Sequence, residues 1–132
     1  MSDAYTAIQA VMMPRDTNPL GSIFGGVILS YIDQAGAVGA RREVVLAGGA
    51  APFLVTVAVN RVEFKQAVLV GDVVRFLTRR VRLGRTSITM HIRVEADRAG
   101  ETLHVTDAEV VYVGIDPSTP EPRPVPLLPA AS

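Results

Sequence analysis

The sequence changes its hydrophobic period once, at Pro52, and this change limits the folds open to the chain. Before Pro52, residues 24–42 repeat apolar side chains at three- and four-residue steps, which predicts one long helix. After Pro52, residues 53–64 and 86–97 alternate between two sets of side chains, which is typical of β-strands. We therefore expect one helix followed by a sheet.

Five segments have the composition of strands, one before the helix and four after it. They cover residues 5–13, 53–64, 72–83, 86–97 and 102–116. The last four are joined at Gly71-Asp72, Gly84-Arg85 and Arg98-Ala99-Gly100, which suit antiparallel hairpins and are too short for a crossover helix. These joints predict an α+β fold, a five-stranded antiparallel sheet wrapped around one long central helix.

The chain of 132 residues suits one domain, which we place at residues 1–116. Residues 117–132 hold six of the nine prolines, and we expect them to form a proline-rich tail that is extended and peripheral or disordered.

Composition excludes several classes of protein. Thirteen basic residues balance thirteen acidic ones, and no basic stripe with interleaved aromatics appears, so we expect no nucleic-acid partner. The absence of cysteine removes disulfides, thiolate catalysis and thiolate metal sites. No apolar stretch approaches the roughly 20 residues that span a bilayer. We expect a cytoplasmic protein without a membrane partner.

The predicted helix is apolar on nearly all sides, which implies burial on most of them. Since one small sheet cannot enclose such a helix completely, we predict that a second copy of the chain covers the rest.

Asp33 is an unusual residue to find inside that helix, because a lone charge is costly to bury. The preceding loop ends at Gly25-Gly26, where a helix N-terminus would offer free N–H groups to developing negative charge. Asp33 lies two turns further on, about 10 Å along the axis, too far to serve the same carbonyl directly. Two-fold pairing of chains could place the two opposite each other. Alternatively, Asp33 occupies a solvated patch or pairs with Arg41 or Arg42.

The stretch MPRDTNPLGSIFGGVILSYIDQAG resembles the bacterial cytosolic acyl-CoA thioesterases of the hotdog fold, a group related to brain-type acyl-CoA hydrolases. Val70-Gly71-Asp72-Val73-Val74 and Gly84-Arg85-Thr86-Ser87 stand where that family has its later motifs, so the resemblance covers residues 10–116.

This resemblance implies an enzyme that hydrolyses acyl-CoA to a carboxylic acid and CoA. Two subunits would join their sheets edge to edge, and the dimers would assemble into a hexamer. Asp33 would be the general base or the nucleophile, with Asn18 supplied by the partner subunit. The Gly26 N–H would bind the oxyanion, and Gly25 would allow close approach of the carbonyl. No metal or cofactor is expected, because a thioester is activated toward attack and a carboxylate with N–H donors could suffice. CoA is part of the substrate.

Family likeness also assigns CoA binding to Gly84, Arg85, Thr86 and Ser87. Arg85 would meet a phosphate, as could Arg82 or Lys65. For each of these cations, an ordinary solvated or ion-paired role is the alternative.

Three alternatives stay open at this point. The catalytic carboxylate could be Asp16, in the loop before the helix. A hotdog dehydratase would need a histidine, but His91 and His104 fall in the later strands and are interpreted as ordinary strand residues. Finally, the protein could bind or sense acyl-CoA without hydrolysing it.

Overall fold

A computed structural model describes residues 4–130 of the chain. Six strands and one long helix follow one another as β1 (Tyr5–Val11), α1 (Gly25–Leu46), β2 (Phe53–Asn60), β3 (Val73–Leu83), β4 (Ser87–Arg98), β5 (Glu101–Asp116) and β6 (Arg123–Pro124). A short 3-10 turn at Pro14–Asp16 lies between β1 and α1. None of the helices in residues 4–130 has the length and apolarity required to cross a membrane.

The antiparallel sheet has the strand order β1-β3-β4-β5-β2, and α1 packs across one of its faces. The alternation predicted for β4 is confirmed, since Ile88, Met90, Ile92 and Val94 are all fully buried. On the helix, the side chains directed at the sheet include Ile28, Ile32, Ala35, Ala40 and Val44. The α+β fold predicted from the sequence is therefore confirmed.

Two glycines inside α1 allow the helix to approach the sheet closely. A Cβ on Gly36 would lie 2.1 Å from the Tyr112 hydroxyl oxygen, and a Cβ on Gly39 would lie 2.3 Å from Thr78 Oγ1. Glycine in a helix interior costs about 1 kcal/mol of stability relative to alanine. The close approach of α1 to the sheet explains why glycine occupies these two positions.

The prediction of a hairpin at Gly71-Asp72 is wrong. β2 and β3 are not neighbours: β2 pairs with β5 at one edge of the sheet, and β3 pairs with β1 and β4. The connection of residues 61–72 instead carries the chain from that edge back to the far side. It is fixed at its end by Asp72, whose carboxylate accepts bonds from Leu69 N and from the Arg98 guanidinium.

The proline-rich tail also differs from the expectation of a peripheral or disordered segment. β6 adds a sixth strand segment by pairing with Ile115 and Asp116 at the end of β5. Leu127 is only 5% exposed and belongs to the hydrophobic core. The tail thus lacks long regular structure but is packed against the domain.

Candidate active site

The loop before α1 is fixed by backbone hydrogen bonds at both of its ends. Ile23 N donates to Val68 O at 2.7 Å, and Phe24 N donates to Asp16 O at 2.8 Å. These bonds place Gly25 at the start of the helix, as the first residue of α1. The N-terminus of α1 therefore has a defined position and direction.

The first turn of α1 offers backbone N–H groups. Phe24 precedes the helix as its N-cap, and no side chain caps that end. The N–H groups of Gly25 and Gly26 have no carbonyl acceptor within the helix, because no helical residue lies four positions before them. Phe24 is exposed and its ring lies over Gly26, where a Cβ would be 3.0 Å from a ring carbon. An alanine at Gly26 would press against this ring, so glycine keeps the helix start open.

A cleft of about 370 Å³ opens beside this helix start. Gly25 and Ile28 of α1 form one side, and Phe64 and Lys65 of the long connection form the other. The lining is mostly apolar and carries one cation. Such a cleft suits an apolar chain attached to a polar group.

Asn18 holds the loop in shape. Its Oδ1 accepts from Leu20 N at 2.9 Å and from Ser22 N at 3.2 Å, and its Nδ2 donates to Ser22 Oγ at 2.9 Å. All of these contacts lie within the loop. Within one chain the structure does not bring Asn18 and Asp33 together.

Asp16 is also engaged locally. Its Oδ2 accepts from Met13 N at 3.0 Å and so closes the 3-10 turn at Pro14–Asp16. A carboxylate already committed to a backbone N–H gives Asp16 a structural role, which weakens its candidacy as the catalytic base.

Asp33 lies half-buried on α1 at the open edge of the sheet. Its Oδ1 accepts a hydrogen bond of 2.6 Å from Thr56 Oγ1 of β2. Within residues 4–130, β2 has β5 as its only partner strand, so Asp33 stands beside an unpaired strand edge.

Asp33 forms no ion pair with Arg41 or Arg42 within residues 4–130. Arg42 pairs with Glu43 at 3.4 Å and stacks 4.3 Å over the Tyr5 ring. No ion pair joins Asp33 to a cation among residues 4–130. The carboxylate is held by a neutral hydroxyl and stays available for other contacts.

Tyr112 of β5 fixes α1 at Asp33. Its hydroxyl donates to the backbone carbonyl of Asp33 at 2.7 Å, in the space left by Gly36. Burial, followed by the negative charge of Asp33, raises the pKa of Tyr112, so the hydroxyl keeps its proton and remains a donor.

Thr56 and Tyr112 were missed by sequence reasoning. The signal for Thr56 was its place on one face of residues 53–64 with the apolar Leu54 and Ala58, where a hydroxyl needs a partner. Tyr112 carried no such signal, because its contact joins residues 79 positions apart in the sequence.

The turn Gly84-Arg85-Thr86-Ser87 joins β3 to β4. Gly84 N donates to Ser87 O at 2.7 Å, and Gly114 N of β5 donates to Thr86 O at 2.9 Å. Ile88, just after the turn, lies opposite Tyr112, which itself lies opposite Thr56. Two strand spacings therefore separate Ile88 from Thr56, about 10 Å.

The two histidines lie on the face of the sheet that points away from α1. His91 stands between the buried Met90 and Ile92, and its Nε2 lies 3.0 Å from Asp107 Oδ1. His104 Nε2 lies 2.5 Å from the other oxygen of Asp107. Neither imidazole approaches Asp33, which removes the support for a dehydratase. Within residues 4–130, no cluster of three histidine or acidic side chains is placed to hold a metal ion.

An antiparallel sheet wrapped around one long central helix is the hotdog fold. The chain belongs to the thioesterase superfamily, whose family model matches residues 20–103. This membership confirms the family resemblance drawn from the loop and turn motifs.

Similar proteins agree with this assignment over most of the chain. The acyl-CoA thioester hydrolase YciA of Salmonella typhimurium is 38% identical over 125 residues, covering 91% of this chain and 89% of that protein. The YciA protein of Escherichia coli K12 is 36% identical with the same coverage.

Two solved structures have the same fold. A hexameric thioesterase from Yersinia pestis superposes with a TM-score of 0.82 at 33% identity, covering 96% of this chain and 98% of that one. A hexameric hotdog fold thioesterase of Campylobacter jejuni gives a TM-score of 0.77 at 37% identity, covering 91% and 89%.

Proposed function

We propose that this protein hydrolyses acyl-CoA thioesters to a free carboxylic acid and CoA. The observation that carries the proposal is the placement of Asp33. It is a carboxylate without an ion pair in residues 4–130, held by Thr56 at the open edge of the sheet in a thioesterase-superfamily chain. The YciA relatives bear the name acyl-CoA thioester hydrolase, which supports this substrate class.

The active protein is proposed to be a homodimer that assembles further into a hexamer, a trimer of dimers. Strand β2 exposes apolar side chains at the sheet edge, with Phe53 64% and Val57 56% exposed. Such an edge favours addition of another strand. The Yersinia and Campylobacter structures are described as hexameric, which supports the larger assembly.

Dimerisation at this edge would complete the active site. Within one chain, Asp33 and the start of α1 are about 10 Å apart along the helix axis. A two-fold axis near β2 would set Asp33 of one protomer opposite Asn18, Gly25 and Gly26 of its partner. The thioester would then lie between the carboxylate and the free N–H groups.

In the proposed reaction, Asp33 takes a proton from a water molecule whose oxygen attacks the thioester carbonyl carbon. The carbonyl oxygen becomes an oxyanion, bound by the Gly26 N–H at the positive end of α1. Collapse of the tetrahedral intermediate breaks the C–S bond and releases CoA thiolate, which takes up the proton held by Asp33 and so restores the base. Thr56 orients the carboxylate, and Asn18 holds the loop that supports the helix start.

Direct attack by an Asp33 oxygen is the second route for the same site. It would form a mixed anhydride and release CoA, and water would then hydrolyse the anhydride. Neither route requires a metal or cofactor, so we propose that none takes part.

For CoA, we propose that the turn Gly84, Arg85, Thr86 and Ser87 receives the part of the molecule beyond the thioester. Ile88, the residue after this turn, lies about 10 Å from Thr56 across two strand spacings, which suits a ligand that extends away from Asp33. Arg85 is exposed and forms no ion pair among residues 4–130, so its guanidinium is available to a phosphate. Lys65, in the cleft beside the helix start, is a second candidate.

We place this activity in the cytoplasm, with neither nucleic acid nor a membrane as partner. A formal net charge of zero and the absence of cysteine support that placement.

Thiol release from a panel of acyl-CoA chain lengths tests the function directly. We expect turnover by the purified protein, unchanged by EDTA, and a loss of about 10²- to 10⁴-fold in kcat for Asp33→Asn with an unchanged melting temperature. Asp16→Asn is the matched control and should keep most of the activity. Full activity of Asp33→Asn would remove this residue from the mechanism.

The same assay separates hydrolysis from binding alone. A protein that only carries or senses acyl-CoA would bind CoA tightly in a calorimetric titration and release no thiol from any chain length. That result would overturn the hydrolase proposal.

A further inference from the structure

The proline-rich tail occupies a strand position in the sheet, next to the proposed CoA-binding turn. β4 ends its pairing with β5 at Ser87 and Val113. Beyond that point β6 pairs with β5, and Val125 N donates to Gly114 O at 2.9 Å. The tail therefore continues along β5 from the place where the turn leaves it.

Leu127 anchors the tail by packing against two glycines, Gly49 and Gly114. A Cβ on Gly114 would lie 2.6 Å from Leu127 Cδ2, and a Cβ on Gly49 would lie 2.4 Å from Leu127 O. Gly49 follows the end of α1, and Gly114 belongs to β5. Glycine at both positions, from two separate elements, leaves the space that Leu127 fills.

The anchored residue also binds the turn itself. Leu127 N donates to Arg85 O at 2.9 Å. A cavity of about 350 Å³ lies between the two segments, lined by Gly84 and Arg85 on one side and by Pro126, Leu128 and Pro129 on the other. The tail is thus one wall of the cavity that Arg85 borders.

We propose that Leu127 is a positioning residue: the docked tail holds the Gly84–Ser87 turn, and with it Arg85, in the geometry that binds the nucleotide end of CoA. This inference rests on the proposed function. The prolines of the tail restrict its backbone, which lowers the entropy lost on docking. Leu127 acts through the turn, so its effect belongs to substrate binding and not to the chemical step.

The test compares two substrates with the same acyl group, an acyl-CoA and the acyl thioester of N-acetylcysteamine, which lacks the nucleotide. We expect Leu127→Ala to raise KM for acyl-CoA about tenfold with kcat nearly unchanged, and to leave the kinetics on the short thioester unchanged. Leu127→Met should restore most of the acyl-CoA affinity. The matched control is Pro122→Ala, in an exposed part of the tail, which should behave as wild type.

An equal loss on both substrates would overturn the inference, because it would show a general effect on the fold. Leu127→Val removes less of the side chain and provides the same comparison if Leu127→Ala does not fold. If wild-type protein hydrolyses neither substrate, the proposed function fails and titration with CoA decides the inference separately. A dissociation constant raised about tenfold by the Leu127 substitution would support it, and an unchanged constant would overturn it.

Discussion

At the scale of single residues, the site depends on contacts that set the position of Asp33 without touching its carboxylate. Tyr112 binds the Asp33 carbonyl, and Gly36 leaves the space for the Tyr112 ring and hydroxyl. A shift of the helix at this point would move the carboxylate relative to the sheet edge. Asp33 is the proposed catalytic group, and small displacements of such a group lower the reaction rate, so we expect this packing to affect activity as well as stability.

Gly36→Ala should destabilise the protein by about 2–3 kcal/mol, since the added Cβ would overlap the Tyr112 hydroxyl. Tyr112→Phe should cost about 1 kcal/mol through loss of the hydrogen bond. Removing the hydroxyl also relieves the overlap, so the double variant should lose less than the sum of the two. Denaturant unfolding of the four proteins measures this coupling, and strict additivity would contradict the close contact.

Asp72 provides a pH-dependent part of the stability. The residue is 2% exposed, and although burial opposes ionisation, hydrogen bonds from Arg98 and Leu69 N hold its pKa below the ordinary value of 3.8. A lowered pKa means that the unfolded chain binds more protons. This contribution is therefore fully present above about pH 4 and is lost as the pH falls through the pKa of the folded state.

Asp72→Asn should accordingly cost about 2–3 kcal/mol at pH 7, because Arg98 loses its charged partner and the buried bonds are weakened. The difference from wild type should shrink as the pH falls below 4. Unfolding free energies measured by denaturant titration between pH 3 and pH 7 would check this, with the exposed Glu121→Gln as the control. A difference that is independent of pH would be evidence against the Arg98 pairing.

At the scale of elements, the two edges of the sheet have different roles. β1 forms one edge, and β2 forms the other, where Thr56 binds Asp33. In a monomer, an apolar edge strand with unpaired backbone groups promotes aggregation, whereas in a dimer it can pair with the partner's strand. The placement of the carboxylate next to this edge therefore links the proposed chemistry to assembly.

Val57→Lys should disrupt pairing at β2, because burying an unpaired charge in the interface is unfavourable. We expect a smaller assembly by light scattering and a parallel loss of thiol release. Val11→Lys is the matched control, since Val11 is similarly exposed but belongs to β1, at the opposite edge. Equal effects of the two substitutions would argue against β2 as the interface.

At the scale of the whole molecule, a site shared by two protomers has a consequence that one-chain sites lack. A dimer formed from two different defective chains can contain one intact site and one doubly defective site. Complementation between chains therefore tests the proposed division of roles between Asp33 and Asn18.

Co-refolding Asp33→Asn with Asn18→Ala should give more activity than the mean of the two separate variants. In a statistical mixture, about one quarter of the sites would be intact. Thiol release per active chain, compared with the same variants refolded separately and then mixed, measures the gain. No gain on co-refolding would place both residues in sites made by one chain.

Local signals in the sequence were enough for the elements and the family. The period of residues 86–97 predicted β4 and its buried face. The helix predicted over residues 24–42 is confirmed but ends later, at Leu46, just before Gly48 with its φ of +103°. The loop and turn motifs gave the thioesterase family, which the family model confirms. The residue roles at Asp33, Asn18 and Gly26 remain proposals.

By itself, the sequence determined the long helix and the five long strands, because apolar period and turn residues act over a few positions. Only the tertiary structure decided that β2 lies at the far edge, that Thr56 and Tyr112 hold Asp33, and that Leu127 docks beside Arg85. Those contacts join distant residues, so they depend on strand order and on the space left by Gly36, Gly49 and Gly114. The physical reason is that close packing is a property of the assembled core, which no local pattern encodes.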